Sequence, residues 1–358
     1  MKSNRGFTLI EIMISGGIMM IAVIATCMML LEGQRFTRNT EEVAKSNDSA
    51  RLAGEFIVGA LRIAGMGANL GVYVNNGGVP RLISPIFGTD NITTLGSTDD
   101  IWMVLPERSS LVNSQSCQSV VMAGFTKSGG SATLVQGGTG QLQVNCTLGL
   151  LPSGIAPPPM LLVTNFQTPG VLLTQPSLGA ASDGTSTVGQ IDYSEESLGT
   201  FPPNPYKLGD LVYGASVVRF FVKRDANGRT GLYRQTGLLT GASPPAFVTS
   251  TLTESLVQED IEDLQFSYGV DPSGLNLPDN YTFTDGFPDG FTRPLRSVRV
   301  NVVSIHERRM VNGDTSDLAA YAPIRIENHD VSGAPKDPFR RSLYSRRVEL
   351  INLSPGAL

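Results

Sequence analysis

The feature that most constrains this chain is an uninterrupted apolar run close to its N-terminus. Residues 12–31 are twenty residues without a formal charge, and most of them are Ile, Met, Val, Ala or Leu. As an α-helix this run is about 30 Å long, which matches the hydrocarbon core of a bilayer. Lys2 and Arg5 precede it, so we expect the N-terminus in the cytoplasm and everything after residue 31 outside. Because the run continues without a breaker, it favours a retained anchor over a cleaved secretory signal.

Composition narrows the class of function. The 358 residues include 39 Gly and 22 Pro, too many for a helical bundle, while 41% hydrophobic residues are too many for a disordered chain. A net charge of -5 and the lack of a long basic run argue against a nucleic-acid partner. His306 and His329 complete no zinc-protease or hydrolase motif, and the sequence has no Walker-type phosphate loop. We therefore predict a structural or interaction protein that is not an enzyme and has no cofactor.

A carboxylate, Glu11, stands at the start of the apolar run. A charge at membrane depth is costly, so Glu11 either reaches the interface or has a partner. Cutting the chain after Gly6 would create an ammonium group at Phe7, one helical turn from Glu11. In a stack of such helices, the carboxylate of one subunit would pair with the Phe7 amine of its neighbour.

The order of residues at this end resembles the leader of type IV pilins and type II secretion pseudopilins. The residues that carry the resemblance are Arg5, Gly6, Phe7, Thr8, Leu9 and Glu11. In that family a prepilin peptidase cuts after the glycine and methylates the new N-terminal phenylalanine. The resemblance implies that residues 1–6 are a leader, that Gly6 and Phe7 flank the cleavage site, that Phe7 is methylated and that Glu11 docks the subunit in the pilus.

The apolar run leads into an amphipathic segment at residues 32–65. This segment has no proline, and small or apolar residues recur there every seven positions. They are Phe36, Val43, Ala50, Ile57 and Ala64. The pattern indicates a helix that packs on its own globular domain, and the glycines at 65 and 67 are typical of a helix end. We predict one helix from Phe7 to about Ile63, roughly 85 Å long, with residues 7–31 in the membrane or filament core.

Residues 66–358 are predicted to form a β-rich head. Val298, Val300 and Val302 alternate with polar residues, as in a half-buried strand, and residues 347–352 indicate a closing strand. Apolar runs at 101–105 and 160–163 also predict strands. Residues 217–222 and 231–234 flank an Asp-Ala-Asn-Gly sequence and predict a hairpin with a turn built on Asn-Gly.

Stretches rich in Gly, Ser, Thr and Pro at 126–140, 152–159, 167–190 and 199–206 predict long loops. The predicted fold class is therefore α+β. A long N-terminal helix, half transmembrane and half amphipathic, packs on an antiparallel β-rich, pilin-like head.

Two late stretches, residues 257–271 and 339–352, resemble the PilW type of minor pilin, which is related to the J-type pseudopilin of type II secretion. The resemblance implies a protein that helps nucleate and cap a type IV pilus in a tip or priming complex, supporting twitching motility or adhesion. It implies as partners other minor pilins, the major pilin, the prepilin peptidase, the inner-membrane assembly platform and a tip adhesin. It also implies an inner-membrane protein with a periplasmic head before assembly and a place in the pilus at the cell surface afterwards.

Two alternative functions remain open from the sequence. One is a J-type pseudopilin of a type II secretion system. The other, from a different class, is a membrane-anchored periplasmic binding module or enzyme whose leader is incidental.

Charged residues cluster in the two late stretches. Glu259, Asp260, Glu262 and Asp263 form either a solvated turn at a strand entry or a docking face for a basic partner. The apolar residues from Ile261 onwards predict a short helical turn followed by a strand. Four arginines would pair with the acids within the chain or across an interface. These are Arg340, Arg341, Arg346 and Arg347.

The chain contains three cysteines, so it can form at most one internal disulfide. Cys27 lies inside the apolar run and is predicted to be a small packing residue. Cys117 and Cys146 remain as one pair, and a disulfide between them outside the cytoplasm would stabilise the head by about 2–4 kcal/mol. The alternative is two free, buried thiols. No Cys-x-x-Cys spacing supports a metal site.

A calcium site is a less favoured alternative for the loop aspartates. Asp271, Asp279, Asp285 and Asp289 lie in a Gly/Pro-rich segment, but their spacing matches no EF-hand.

Overall fold

The computed structural model describes residues 8–68, 70–76, 79–90, 98–106, 121–124, 138–144, 160–167, 169–174, 177–179, 189–195, 210–240, 246–271, 282–284, 295–307 and 339–353. One long apolar N-terminal helix is followed by a region of mainly antiparallel β-sheet. The predicted α+β class is therefore confirmed.

The helix, α1 (Leu9–Ile63), contains 55 residues and is about 82 Å long. It ends as predicted: Ala64 has an extended backbone, and Gly65 and Gly67 follow with φ of 70° and 73°. Glycine accepts this left-handed conformation without a Cβ clash, so the glycines terminate the helix.

The head supports only the second part of α1. Among the residues whose burial is described, its first buried residue is Ser46, and buried positions then recur at the three- and four-residue spacing of one helix face. They are Ser46, Ser49, Ala50, Ala53, Gly54, Ile57, Val58, Leu61 and Ala64. Phe36 and Val43 belong to the same seven-residue pattern but are exposed. The sequence pattern therefore predicted the packing face correctly but did not show where the head begins.

Among the described residues, nineteen strands follow α1. They are β1 (Val72–Asn76), β2 (Val79–Ile83), β3 (Ile86–Thr89), β4 (Asp100–Pro106), β5 (Val121–Gly124), β6 (Gly138–Val144), β7 (Met160–Thr164), β8 (Gly170–Thr174), β9 (Ser177–Gly179), β10 (Gly189–Glu195), β11 (Leu211–Arg224), β12 (Thr230–Gly237), β13 (Leu239–Thr240), β14 (Ala246–Phe247), β15 (Thr253–Glu259), β16 (Ile261–Val270), β17 (Thr282–Thr284), β18 (Leu295–Glu307) and β19 (Phe339–Glu349).

Two sheets position the helix. The main sheet has the order β15-β12-β11-β7-β8-β1-β2, with β4 pairing beside β7 on β11 and β3 pairing with β4. The terminal sheet has the order β17-β16-β18-β19. Pairing is antiparallel throughout both sheets in the described strands, except between β1 and β8, which are parallel. Two smaller sheets, β5-β6-β10-β9 and β13-β14, complete the described part of the head.

One buried apolar cluster joins α1 to both large sheets. It contains Ile57 and Leu61 of α1, Phe220 of the main sheet, and Phe266 and Val300 of the terminal sheet. All five side chains are at most 1% exposed. The contact between helix and head is therefore a true core, and it holds the second part of α1 rigidly against the sheets.

At β4 the main sheet is buried on both faces. In β4, Ile101 and Met103 belong to the cluster under α1, whereas Trp102 and Val104 belong to a second cluster on the opposite face. Successive residues of a strand point to opposite faces, so burial on both sides requires a continuous apolar run. This explains the unbroken apolar sequence predicted as a strand at 101–105.

The chain crosses from the main sheet to the terminal sheet at Asp260. This residue separates β15 from β16 and has a φ of 63°. Its N–H donates to the Thr230 carbonyl oxygen at 2.9 Å, and its own carbonyl accepts from the Ile305 N–H at 2.8 Å. Aspartate is one of the few non-glycine residues that tolerate the left-handed region. The acidic stretch therefore includes the backbone pivot between the two sheets.

The predicted hairpin is confirmed as β11 and β12, but its turn works differently. The loop spans residues 225–229, and the Asp225 N–H donates to the Arg229 carbonyl at 2.8 Å. The Asp225 carboxylate accepts from the Asn227 and Arg229 N–H groups, each at 2.8 Å. Gly228 has a φ of 82°. The turn depends on an aspartate side chain and one glycine, not on a two-residue Asn-Gly turn.

Four local predictions are wrong. The predicted loop at 167–190 contains β8, β9 and the start of β10, and the buried residues 171–173 of β8 pair with β7. The predicted loop at 126–140 includes the start of β6. The closing strand ends at Glu349, and residues 351–353 form a 3-10 helix. The predicted helical turn after Asp260 is a strand with a bulge between Ile261 and Asp263.

Candidate functional site: the exposed helix and its junction with the head

Glu11 closes the first turn of α1. Its Oε2 accepts hydrogen bonds from the backbone N–H and the hydroxyl of Thr8, each at 3.0 Å, and the Thr8 hydroxyl accepts from the Glu11 N–H at 3.3 Å. This reciprocal arrangement is a capping box, which satisfies donors that a helix start leaves unpaired. Our sequence reasoning missed it, although Thr-x-x-Glu before an apolar run is its signature. Thr8 therefore holds the Glu11 carboxylate at a fixed place on the helix.

Within the described part of the chain, nothing covers the apolar part of α1. Every residue from Leu9 to Leu31 is exposed, and the helix is long and apolar enough to cross a membrane. The hydroxyls of Ser15 and Thr26 donate to backbone carbonyls one turn earlier, at 3.1 and 2.8 Å. Because lipid offers no hydrogen-bond partner, such internal bonds suit a helix in a bilayer or a bundle of apolar helices. Cys27 lies on this exposed surface.

Gly16 and Gly17 do not interrupt the helix, which continues through both. A Cβ at either position would have no neighbour within 4 Å. In apolar surroundings, glycines on an open helix surface allow another helix to approach closely. Two glycines in a helix could instead mark a place where it melts locally, but α1 continues through both, which favours close approach.

The C-terminal part of α1 approaches the last strand, β19, very closely at Gly54. A Cβ at Gly54 would overlap the Tyr344 ring of β19, so only glycine fits this position without displacement. The neighbouring Glu55 carboxylate accepts a hydrogen bond from the Tyr344 hydroxyl at 3.0 Å and forms an ion pair with Arg346. Glu55, Tyr344 and Arg346 thus form a polar clamp between α1 and β19.

Two further contacts fix the same junction. The hydroxyls of Ser46 and Ser304 lie 2.8 Å apart in the core, where α1 first meets β18. At the other end, the Asn352 amide donates to the carbonyls of Arg62 and Ala64 at 3.0 and 3.3 Å. This amide satisfies carbonyls that the end of α1 leaves open. The chain's C-terminal segment therefore caps its N-terminal helix.

The charge on Glu55 contributes to the clamp. Burial raises the pKa of Glu55, but the Tyr344 hydrogen bond and the Arg346 guanidinium outweigh burial, so the pKa lies below its ordinary value. A carboxyl group whose pKa folding lowers stabilises the folded state above the unfolded-state pKa. This stabilisation is lost as the pH falls through the folded-state pKa.

Glu55→Gln is therefore expected to weaken the dependence of thermal stability on pH. We expect the full chain in detergent to lose a few degrees of melting temperature near pH 7, since exposed ion pairs contribute little, and almost nothing near pH 3. Circular dichroism melts across this range measure the difference. Glu41→Gln, on a part of α1 away from the head, is the matched control. An equal change in both variants would contradict a role for the clamp.

The late arginines form different pairs from one another. Arg341 forms a bidentate pair with Glu262 at 2.5 and 2.8 Å, which confirms the predicted pairing with the acidic stretch. Arg346 pairs with Glu55 of α1, and Arg347 pairs with Glu349 at 2.6 Å. Arg341 therefore holds β19 to β16 and Arg346 holds it to α1, whereas the Arg347–Glu349 pair lies within β19 itself.

Several predicted site residues lie outside the described residues. These are Gly6, Phe7, Cys117, Cys146, Asp279, Asp285, Asp289, His329 and the side chains of His306 and Arg340. Asp271 is described and is 1% exposed. Within the described ranges, no group of three His, Cys, Asp or Glu side chains is placed to hold a metal ion.

The terminal sheet and the end of the main sheet carry the similarity to known proteins. Residues 219–352 match the family model of PilW, type IV pilus-assembly protein W. The matched segment includes Ser304, Tyr344, Arg346 and Asn352, the head residues that hold α1. The match supports the interpretation of this chain as a PilW-type pilus protein with a part in type IV pilus assembly. PilW proteins are assembly components of the pilus and are not a known enzyme family. The exposed apolar helix in turn indicates membrane anchoring.

No curated protein and no solved structure matches the chain.

Proposed function

We propose that this protein is a minor pilin that helps nucleate and cap a type IV pilus as part of a tip or priming complex. One observation carries the proposal. The same chain combines a long apolar helix, exposed from Leu9 to Leu31 in the described structure, and a head segment that matches type IV pilus-assembly protein W. An exposed apolar helix needs a bilayer or other helices around it. The inner membrane provides the bilayer before assembly, and the growing pilus provides the other helices.

The proposed sequence of events begins in the inner membrane. Prepilin peptidase cuts between Gly6 and Phe7 and methylates the Phe7 amine, while the head lies in the periplasm. The methylated amine keeps its positive charge, so it remains a partner for a carboxylate. During assembly this amine pairs with Glu11 of a neighbouring subunit, and the apolar helices pack together.

The Glu11 carboxylate is more stable in an assembly, where it is paired, than in lipid. In lipid the carboxylate lies near the end of an apolar run with Thr8 as its described partner. In an assembly a neighbour's ammonium group offsets the charge, so leaving the bilayer for the complex is favoured. The capping box supports this role because it holds the carboxylate in one position before a neighbour arrives.

The junction between α1 and the head suits a subunit that sets the position of others. The core around Ile57 and the clamp at Glu55 fix the head relative to the helix. A helix in the complex therefore determines where its head lies. The proposed partners are other minor pilins, the major pilin, the peptidase, the assembly platform and a tip adhesin. In the assembled state the subunit is exposed at the cell surface.

Deletion of the gene in its native host, with complementation by the full chain, tests this function. We expect surface filaments, twitching motility and adhesion to be lost and then restored, with protein secretion unaffected. Loss of secreted enzymes with intact filaments would instead support a J-type pseudopilin. Normal filaments and normal secretion would support a membrane-anchored binding module or enzyme. Electron microscopy of filaments and assay of secreted proteins in the same strains separate these outcomes.

A further inference from the structure

The strand β15 forms one edge of the main sheet. Among the described strands it pairs only with β12, and a bulge at Val257 interrupts this pairing. Before the bulge, residues 253–256 are all exposed, and Leu256 is 46% exposed. An edge strand directs alternate N–H and C=O groups away from its sheet, where they can pair with another strand. We define residues 253–256 as the open edge, which is about 13 Å long.

The helix α1 crosses the main sheet towards the open edge. Phe56 contacts the Phe220 ring of β11, with 5.8 Å between the ring centroids, and the Ser49 hydroxyl accepts from the Gln258 amide of β15 at 3.3 Å. The seven residues from Ser49 to Phe56 span about 10 Å of helix, which matches the two strand spacings from β11 to β15. Lys45, one turn before Ser49, therefore lies beyond β15, above the place that an added strand would occupy.

Two cations without partners flank this place. Arg234 of β12 lies between Phe220 and Ser255 in one row across the sheet, so it belongs to the face under α1. Neither Arg234 nor Lys45 forms an ion pair or a side-chain hydrogen bond in the described part of the structure. Because the Ser255 side chain is small, it leaves the way from the Arg234 guanidinium to the edge open. An added strand would meet two unneutralised positive charges on this face.

The opposite face of the open edge is mainly apolar. Leu256 continues a row formed by Phe221 and Tyr233, whose ring centroids lie 6.0 Å apart. Glu254 is the one carboxylate among residues 253–256, and it already pairs with Lys223 at 2.7 Å. This face therefore offers a new strand apolar contact and no unpaired charge.

We propose that the open edge is a docking site for an extended acidic segment of a partner protein, which adds to β15 as a short antiparallel strand. The segment places an apolar side chain beside Leu256 and, on the next residue, a carboxylate opposite Ser255, within the reach of Arg234 and Lys45. Successive strand residues point to opposite faces, so an apolar residue followed by Asp or Glu meets both requirements. This inference goes beyond the proposed function and does not depend on the chain entering a filament.

A second copy of this chain fits the open edge less well than an acidic segment. If two open edges paired antiparallel about Ser255, the Arg234 side chains of both copies would lie on the same face of the joined sheet. Like charges on neighbouring strands repel each other, whereas a carboxylate in this place neutralises the guanidinium. The charges at the edge therefore favour an acidic partner.

Fluorescence anisotropy with the purified full chain in detergent tests the docking site. The probe is the labelled peptide Ser-Val-Asp-Thr-Thr-Ser with blocked ends, and a matched peptide carries Lys in place of Asp. We expect the acidic peptide to bind at least about tenfold more tightly than the basic one. Lys45→Glu together with Arg234→Glu should reverse this preference. Arg51→Glu, on another side of α1, should leave it unchanged.

Methylation of the peptide backbone separates strand addition from binding by side chains alone. Two versions of the acidic peptide carry N-methyl groups on alternate residues, in opposite phase. In an added strand only one set of N–H groups faces β15, so one version should lose at least about tenfold in affinity and the other should bind normally. Amide hydrogen exchange of residues 253–256 should slow when the peptide is bound, while that of β2, at the other edge of the main sheet, should not change.

The outcomes separate this inference from the proposed function. No binding of the acidic peptide at about 1 mM, equal binding of both peptides, or equal effects of the two methylation patterns would overturn the docking site. The assay contains no filaments, so these results would leave the proposed function standing. Slower exchange of residues 253–256 with rising protein concentration alone would show that a second copy occupies the edge, which would also overturn the proposal. Circular dichroism melts of the variants verify that the head is folded.

Discussion

Replacing Glu11 by alanine is expected to leave the protein in the membrane and to reduce its incorporation into filaments at least about tenfold. The substitution removes both features of this carboxylate: its charge, and its bonds to the Thr8 N–H and hydroxyl. In the proposed mechanism the charge is the partner of a neighbour's amine. Immunoblots of membrane and sheared-filament fractions measure the distribution of the full chain.

Two matched variants separate the charge from the cap. Glu11→Gln keeps a side chain that can complete a capping box but has no charge, so we expect it to fail like alanine. Thr8→Ala removes the hydroxyl from the cap but keeps the charge, so we expect a reduction of only a few fold. Incorporation of the Gln variant at the wild-type level would show that capping, and not pairing, is the role of Glu11.

Replacing Gly54 by leucine is expected to destabilise the junction of helix and head by about 3 kcal/mol. The new side chain would start where the Tyr344 ring now lies, and this ring is held by the Glu55 carboxylate. Neither group can move without opening the clamp on β19. Denaturant unfolding of the full chain in detergent, followed by circular dichroism, measures the loss.

Gly59→Leu is the control for the same substitution on the same helix. A Cβ at Gly59 has no neighbour within 4 Å, and the residue is exposed. Leucine there should stabilise the helix by about 0.5–1 kcal/mol, because glycine is a poor helix former. Tyr344→Ala should recover part of the stability lost in Gly54→Leu, and the double-mutant cycle gives the coupling. Equal effects at 54 and 59, or no recovery, would contradict the close contact.

The helix was predictable because its signals are local. An apolar run sets its first half, a seven-residue pattern sets its packing face, and glycines set its end near Ile63. The start of the head at Ser46 was not predictable, because the exposed Val43 and the buried Ala50 carry the same pattern. Only the position of the sheets, which depends on contacts hundreds of residues apart, distinguishes the two.

In the candidate site, too, the features with local signals were predictable from the sequence, and those that depend on distant contacts were not. The carboxylate at Glu11 was evident from its place in the apolar run, and the capping box could have been read from Thr8. The clamp could not, since the contact of Glu55 with Tyr344 and Arg346 joins residues 289 and 291 positions apart. The glycine at position 54 of a helical pattern was a local sign of a close contact, but Gly59 in the same helix has no close neighbour, so the sign alone did not identify the site.

At Asp260, where the chain crosses between the two sheets, the sequence drew attention to the right segment but did not predict the backbone role of the residue. The acidic stretch was expected to be a solvated turn or a docking surface. The structure places Asp260 in the bend that enters β16, as the first expectation has it, and adds a backbone role, because its left-handed conformation connects two sheets. Charge dominated the sequence interpretation, while the conformational tolerance of aspartate was the property that mattered.

Mass spectrometry of this chain in sheared, purified filaments tests most directly whether it is a processed pilus subunit. We expect peptides of the head in the filament fraction together with an N-terminal peptide that begins at methylated Phe7. Filaments that contain no peptide of this chain, while the protein stays in the membrane fraction with Met1 at its N-terminus, would contradict this expectation.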